Sequence, residues 1–366
     1  GLQSYRFGLE WSRIEPEEGV FSQEALDHYR EEITAMKERG IRPLLTLHHF
    51  SNPLWLEEKG AFLSADNITY YLRYVHKVVE ALGDLVSEYI TINEPNVYAF
   101  NSYFDGSWPP GKRSFLAMSR VMTNLAAAHI EAYGLIRKTR LQMGYTDTKV
   151  SFANHMRVFA PRDGKNPIHR FWAERAEQLF QGSLTAAMCR GVRAFPIGKH
   201  PAIVPGEFCD FHAVNYYTRS TVSGPADGVA DGCPVNDLGW EIYPQGIVEV
   251  SRKLYRLLPR PIWIPENGTC DNTDRFRARY IAEHLAALCS SDLPVERYYH
   301  WCFCDNFEWV EGVSARFGLV HVNYDTQERT VKDSGDFYRQ VIAQGGVSEE
   351  LWQRYCGGAY PINGEG

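Results

Sequence analysis

Two glutamates stand in matching surroundings. Tyr89-Ile90-Thr91-Ile92-Asn93-Glu94-Pro95-Asn96 is a β-branched run that breaks off into an amide, a carboxylate and a proline. Pro261-Ile262-Trp263-Ile264-Pro265-Glu266-Asn267-Gly268 repeats the pattern, an apolar run that stops at a glutamate followed by Asn and Gly. Val86, Tyr89, Ile90, Thr91 and Ile92 suit a buried strand, and Pro95 cannot extend a sheet ladder, so Asn93 and Glu94 are expected where that strand ends. One glutamate alone reads best as a solvated surface charge. Two of them at two strand ends form a candidate acid/base or nucleophile pair.

The elements that must hold this pair alternate regularly. Strands are expected at Tyr5–Leu9, Arg42–Leu47, Tyr89–Ile92, Lys149–Ala153, Phe211–Asn215, Ile262–Ile264 and Tyr298–Phe303. Helices are expected between them. Ser22 caps one whose apolar positions Leu26, Tyr29, Ile33 and Met36 step by three or four until Gly40. A second begins at Ser64 and buries Ile68, Tyr71, Leu72, Val75, Val78, Val79 and Leu82. Others follow near Phe115–Thr139, within Asn166–Arg190, and near Ile247–Leu258, Asp274–Cys289 and Ser334–Ala343. Strands alternating with helices imply right-handed crossovers and a parallel sheet. Seven such strands fall one short of a closed eight-stranded barrel. No repeat, low-complexity tract or linker divides the chain, so residues 1–366 are expected to form a single domain.

A barrel places its chemistry at the C-terminal ends of the strands. His48-His49-Phe50, Asn93-Glu94, Asn215-Tyr216-Tyr217, Glu266 and the stretch from Trp301 to Trp309 all fall there, while Arg6 lies inside the first strand. Carboxylates, amides, tyrosines, an imidazole and indoles are what a sugar site requires, because hydroxyls need donors and acceptors and a pyranose face packs on flat rings. Cys302 and Cys304 are expected on one face of the last strand, as packing residues. No phosphate loop, dinucleotide fingerprint, serine nucleophile elbow or metal-ligand spacing competes with this reading.

Composition agrees. The 366 residues are 44% hydrophobic, carry a net charge of −7 and contain no basic block, so nucleic acid is not the expected partner. No uncharged apolar run is long enough to span a bilayer, so no membrane partner is expected either. The 8 cysteines lack the density of a disulfide scaffold and the spacing of a zinc site, which favours reduced thiols in a cytoplasm.

At this point the chain resembles glycoside hydrolase family 1, the retaining β-glucosidase and β-galactosidase family, over almost its whole length. The blocks that carry the resemblance are Tyr5 to Ile14, Thr46-Leu47-His48-His49-Phe50, Thr91-Ile92-Asn93-Glu94-Pro95, Asp210 to Tyr217, Pro265-Glu266-Asn267-Gly268, and Trp301 through Leu319, all in the family's order. The implied fold is α/β, a (β/α)8 TIM barrel. The resemblance enters partway through the first helix, so the first strand and part of the first helix are expected to lie outside this sequence, together with a glutamine that the strand normally supplies.

The resemblance also implies roles. Glu94 matches the family's general acid/base and Glu266 its nucleophile, with Arg6 and Tyr217 supporting the nucleophile carboxylate. His49, Asn93, Glu308 and Trp309 match partners of the sugar hydroxyls, Trp301 the platform under the ring, and Asn215 and Phe317 the pocket wall. No metal or organic cofactor is implied. In a retaining mechanism the two carboxyl groups stand about 5–5.5 Å apart. The implied reaction is hydrolysis of terminal β-D-glucosides, with β-galactosides or β-fucosides also accepted. A 6-phospho-β-glycosidase is the alternative that Glu308 disfavours by charge, and a non-catalytic sugar-binding barrel is the alternative from another class. The segment between Arg190 and Asp210 is shorter than relatives usually have, and Asn96 stands where many carry an aromatic residue.

Overall fold

The computed structural model describes residues 1–364. Its strands are β1 (Ser4–Gly8), β2 (Arg42–His48), β3 (Glu88–Asn93), β4 (Lys149–Pro161), β5 (His212–Val222), β6 (Asp227–Gly228), β7 (Ile262–Asn267), β8 (Val295–His300), β9 (Val320–Val322) and β10 (Arg329–Val331). The seven expected strands are all present among them. Their order in the sheet is β1-β2-β3-β4-β5-β7-β8, with β6 added antiparallel to β5 and a separate β9–β10 hairpin. The chain divides into two compact units, Gln3–His155 with Gln178–Ala213, and Gly1–Leu2 with Met156–Glu177 and Val214–Gly366. They are called here the N-terminal and C-terminal units.

In the N-terminal unit β1, β2, β3 and the first half of β4 pair in parallel, and β2 and β3 are buried on both faces. That explains their continuous rather than alternating apolar runs. The helix Gln23–Glu38 starts where the Ser22 hydroxyl accepts from the Ala25 amide, and Gly40 leaves it with φ +71°, a conformation that costs glycine little. The helix Ile68–Leu82 buries Ile68, Tyr71, Tyr74, Val75, Val78, Val79 and Leu82. Leu72 is only half-buried, and Tyr74 takes the inward place: its ring stacks on Trp11 at 4.7 Å and its hydroxyl donates to the Leu47 carbonyl at 2.9 Å. Trp11 is thus scaffold. The same helix ties to β3 through the Tyr71 hydroxyl, which donates to the Thr91 carbonyl at 2.6 Å.

In the C-terminal unit β7 and β8 pair in parallel, and Val214, Tyr216, Ile262 and Ile264 pack with Ile247, Val250 and Leu254 of the helix Gly246–Leu257. Two expectations need correction here. The last parallel strand is Val295–His300, so it ends before Trp301, and Cys302 and Cys304 lie beyond it rather than on one of its faces. Its sequence, Val-Glu-Arg-Tyr-Tyr-His, alternates weakly, and the more apolar residues after it draw the eye. Similarly, β4 runs on to Pro161 through the charged Arg157, eight residues past the expected end at Ala153. The β9–β10 hairpin and a last helix, Glu349–Tyr355, have no counterpart in the sequence reading.

Candidate active site

Glu94 follows β3 directly, and its backbone is left-handed, with φ 41° and ψ 57°. A non-glycine residue holds that conformation only where its surroundings over-determine it, at a cost of about 1–3 kcal/mol. Here the Glu94 amide donates to the Ala153 carbonyl at 2.7 Å, and the Glu94 carbonyl accepts from Tyr98, in the helix Pro95–Phe100 that begins on Pro95. Proline suits that first helical position because its missing N–H has no partner to lose. The carboxyl is buried, 6% exposed, and Oε1 lies 3.3 Å from Nδ1 of His155 on β4. Asn96, two residues on, donates from Nδ2 to the His155 carbonyl at 2.8 Å. Glu94 is therefore tied to β4 at both backbone and side chain, through Ala153 and His155. Sequence reasoning missed His155 because β4 was expected to end two residues earlier.

Arg6, His49 and Asn93 form a second group in the same unit. Arg6 donates from Nη2 to Asn93 Oδ1 at 2.6 Å and from Nε to Thr46 Oγ1 at 3.0 Å. With its oxygen facing a guanidinium, Asn93 must present Nδ2 to His49 Nε2, 3.1 Å away. Nε2 is then the acceptor and the imidazole proton sits on Nδ1. Burial, the Arg6 charge and then His48 hold the His49 imidazolium well below its ordinary range, so the ring is neutral. His48 is a packing histidine, edge-on to Phe62 and Tyr98, bonded to Asn52 and lowered to about 4 by burial.

In the C-terminal unit Glu266 is buried, 3% exposed, inside β7 rather than after it. The Tyr217 hydroxyl donates to Glu266 Oε2 at 2.6 Å. Tyr217 comes from β5, and Asn215, two residues earlier and fully buried, shares its face of the strand. The Tyr217 ring meets Trp240 edge-on at 5.9 Å and Phe317 at 6.4 Å, and Trp301 packs against the same cluster. Trp301 follows β8, donating its amide to the Asn267 carbonyl at 2.9 Å, and the Trp301–Cys302 peptide bond is cis. Gly268 lies so close that any Cβ there would collide with the Trp301 carbonyl.

Glu308 and Trp309 stand on the loop after Trp301. Asp305, fully buried, anchors that loop by accepting from Lys332 Nζ at 2.8 Å, the Gly318 amide at 2.9 Å and Arg316 Nη1 at 3.2 Å, with His321 Nδ1 at 3.5 Å. The Glu308 amide donates to the Gly312 carbonyl at 2.7 Å, and Trp309 is left-handed at φ 50°. Burial, with the Glu308 and Asp305 charges, drives the Cys302 thiol well above its ordinary range, so Cys302 is a neutral packing group.

Each unit thus carries one of the two candidate carboxylates, Glu94 or Glu266, with its own partners. Arg6, His49, Asn93 and Glu94 belong to one, and Asn215, Tyr217, Glu266, Trp301, Glu308, Trp309 and Phe317 to the other. Among the described residues, the metal-compatible side-chain group is Cys189, Cys209 and His212, which includes none of these. No described helix is long and apolar enough to cross a membrane.

The sequence model described as "Glycosyl hydrolase family 1" matches residues 1–347. The chain belongs to glycosyl hydrolase family 1. Among related proteins, it is 30% identical to beta-glucosidase A of Thermotoga maritima, over 95% of this chain and 84% of that protein. It is 32% identical to the beta-glucosidase of an Agrobacterium species, over 94% and 81%. Among solved structures, a beta-glycosidase from Pyrococcus horikoshii superposes with a TM-score of 0.87 at 36% identity, covering 97% of this chain and 84% of that one. The Thermotoga maritima beta-glucosidase in complex with castanospermine does so with a TM-score of 0.87 at 29% identity, over 95% and 84%. The fold of this family 1 hydrolase is accordingly the (β/α)8 barrel class, and it is a glycoside hydrolase.

Proposed function

We propose that this family 1 hydrolase cleaves terminal β-D-glucosides, accepting β-galactosides or β-fucosides as well, by double displacement. Glu266 attacks the anomeric carbon while Glu94 delivers its proton to the leaving oxygen, giving a covalent glycosyl ester and a free aglycone. Glu94 then takes a proton from water, whose oxygen attacks the same carbon and releases Glu266. The observation that carries this assignment is the difference between the two carboxyls' partners. Glu266 accepts from a phenol, a donor that favours the charged form a nucleophile needs, while Glu94 Oε1 lies 3.3 Å from an imidazole nitrogen of His155. Arg6, in this reading, adds its charge to the support of Glu266.

His49, Asn93, Glu308 and Trp309 bind the sugar hydroxyls, Trp301 underlies the ring, and Asn215 and Phe317 wall the pocket. The neutral His49, whose Nε2 accepts from Asn93, suits hydrogen bonding to an uncharged sugar. Glu308 repels a 6-phosphate, so an aryl glucoside is the better substrate than its 6-phosphate. Residues 1–366 act as one catalytic domain, and the 8 cysteines, none of them in a disulfide, suit a reducing cytoplasm.

The test uses Glu94→Ala and Glu266→Ala with an activated aryl β-glucoside and azide. Azide restores turnover to the first as the β-glycosyl azide and to the second as the α-product. Products of the opposite stereochemistry, or undiminished hydrolysis by either variant without azide, overturn the roles.

A further inference from the structure

The N-terminal unit holds three soft donors that the glycosidase reading leaves unused. Cys189 is the penultimate residue of the helix Ser183–Arg190, Cys209 lies just before β5, and His212 opens β5. All three are buried, with Cys189 and Cys209 each 1% exposed and His212 3% exposed. One ligand atom from each lies within 4.8 Å of the others, and the two Sγ atoms are 3.5 Å apart. We infer that Cys189, Cys209 and His212 bind one thiophilic divalent cation of the zinc class, as a structural clip.

Distance favours this over the other chemistry open to two thiols. Tetrahedral zinc with Zn–S bonds of about 2.3 Å spaces its sulfurs about 3.8 Å apart. The observed 3.5 Å separation lies a few tenths of an ångström from that. A disulfide needs about 2.05 Å, an approach of about 1.5 Å. Charge favours it too. Binding converts two thiols to thiolates and releases two protons to water, so a divalent ion with two thiolates and a neutral imidazole is electrically neutral, as a buried site requires. The three side chains leave one tetrahedral position for a water, which keeps the site neutral.

The clip acts where the backbone has least regular structure. Residues 191–211 join the helix to β5 through turns alone. They are held at their ends by the Phe208 amide on the Cys189 carbonyl and the Gly206 amide on the Arg190 carbonyl, and by an Arg190–Glu207 ion pair at 2.9 Å. A cation bridging Cys189 to Cys209 closes that loop at its base by coordination, and because the site forms only in the folded chain, its binding free energy adds to stability.

The experiment strips the full-length protein with a chelator under reducing conditions and titrates it with zinc chloride alone. Native mass spectrometry is expected to show about one zinc per chain. Zinc also raises the thermal midpoint and protects Cys189 and Cys209 from alkylation, as read by peptide mapping. Cobalt in place of zinc gives thiolate charge-transfer absorption, which Cys209→Ser loses while His28→Gln, on the surface, retains it. Any of three results overturns the inference: no zinc retained by the wild-type chain, zinc retained without protection of these two cysteines, or a Cys189–Cys209 disulfide in the isolated protein. The wild-type measurements stand even if Cys209→Ser fails to fold.

Discussion

Replacing Tyr217 by Phe removes one oxygen and little else. The ring stays between Trp240 and Phe317, so its packing is conserved, while the 2.6 Å bond to Glu266 Oε2 disappears. A hydrogen bond to an ionised group is worth about 1.5–3 kcal/mol. If that energy holds Glu266 charged and aimed in the reacting complex, its loss slows attack on the anomeric carbon by about 10–150-fold. The assay is kcat/KM on an aryl β-glucoside, together with the rate of covalent trapping by a 2-deoxy-2-fluoroglucoside, which reports formation of the glycosyl ester. Both are expected to fall by the same factor, with the urea midpoint close to that of the parent. A Tyr217→Phe enzyme that folds normally and is trapped at the parent rate would refute the support assigned to this phenol.

Further outcomes follow from other contacts. Gly268→Ala drives a methyl group into the Trp301 carbonyl, with the carbonyl carbon at only 2.9 Å, so the ends of β7 and β8 must separate. Such overpacking costs about 1–3 kcal/mol, read as a lower urea midpoint together with weakened sugar binding. His155→Phe removes the imidazole beside Glu94 and is expected to slow cleavage of alkyl glucosides more than of activated aryl glucosides, since only the former need full protonation of the leaving oxygen. Equal slowing of both would count against a role for His155 at the acid/base. Burial lowers His48 to about 4 and His129, His284 and His300 to about 3. Below pH 6.5 the unfolded chain therefore binds protons that the folded chain refuses, and stability declines by up to about 1.4 kcal/mol per pH unit for each such histidine until its folded value is reached. Urea midpoints that stay level from pH 7 to pH 4.5 would contradict that account.

Much of this was legible in the residues themselves. The seven parallel strands follow from apolar runs between capped helices, because strands buried on both faces and amphipathic helices leave different periods in a sequence. Glu94 and Glu266 stand out because a carboxylate that ends a buried strand is chemically conspicuous. Tertiary structure alone decided the rest. His155 reaches Glu94 only because β4 continues past Ala153 and on through the charged Arg157, which reads as a strand end in the sequence. The left-handed backbone of Glu94 comes from a hydrogen bond to Ala153, 59 positions away in the chain, and the neutral state of His49 from burial beside Arg6. Cys189 meets Cys209 and His212 only because the irregular loop that joins them, 20 positions from Cys189 to Cys209, folds back on itself. Residue type limits which chemistry a side chain can perform; its partners and its desolvation, which depend on contacts distant in sequence, determine which of those it performs.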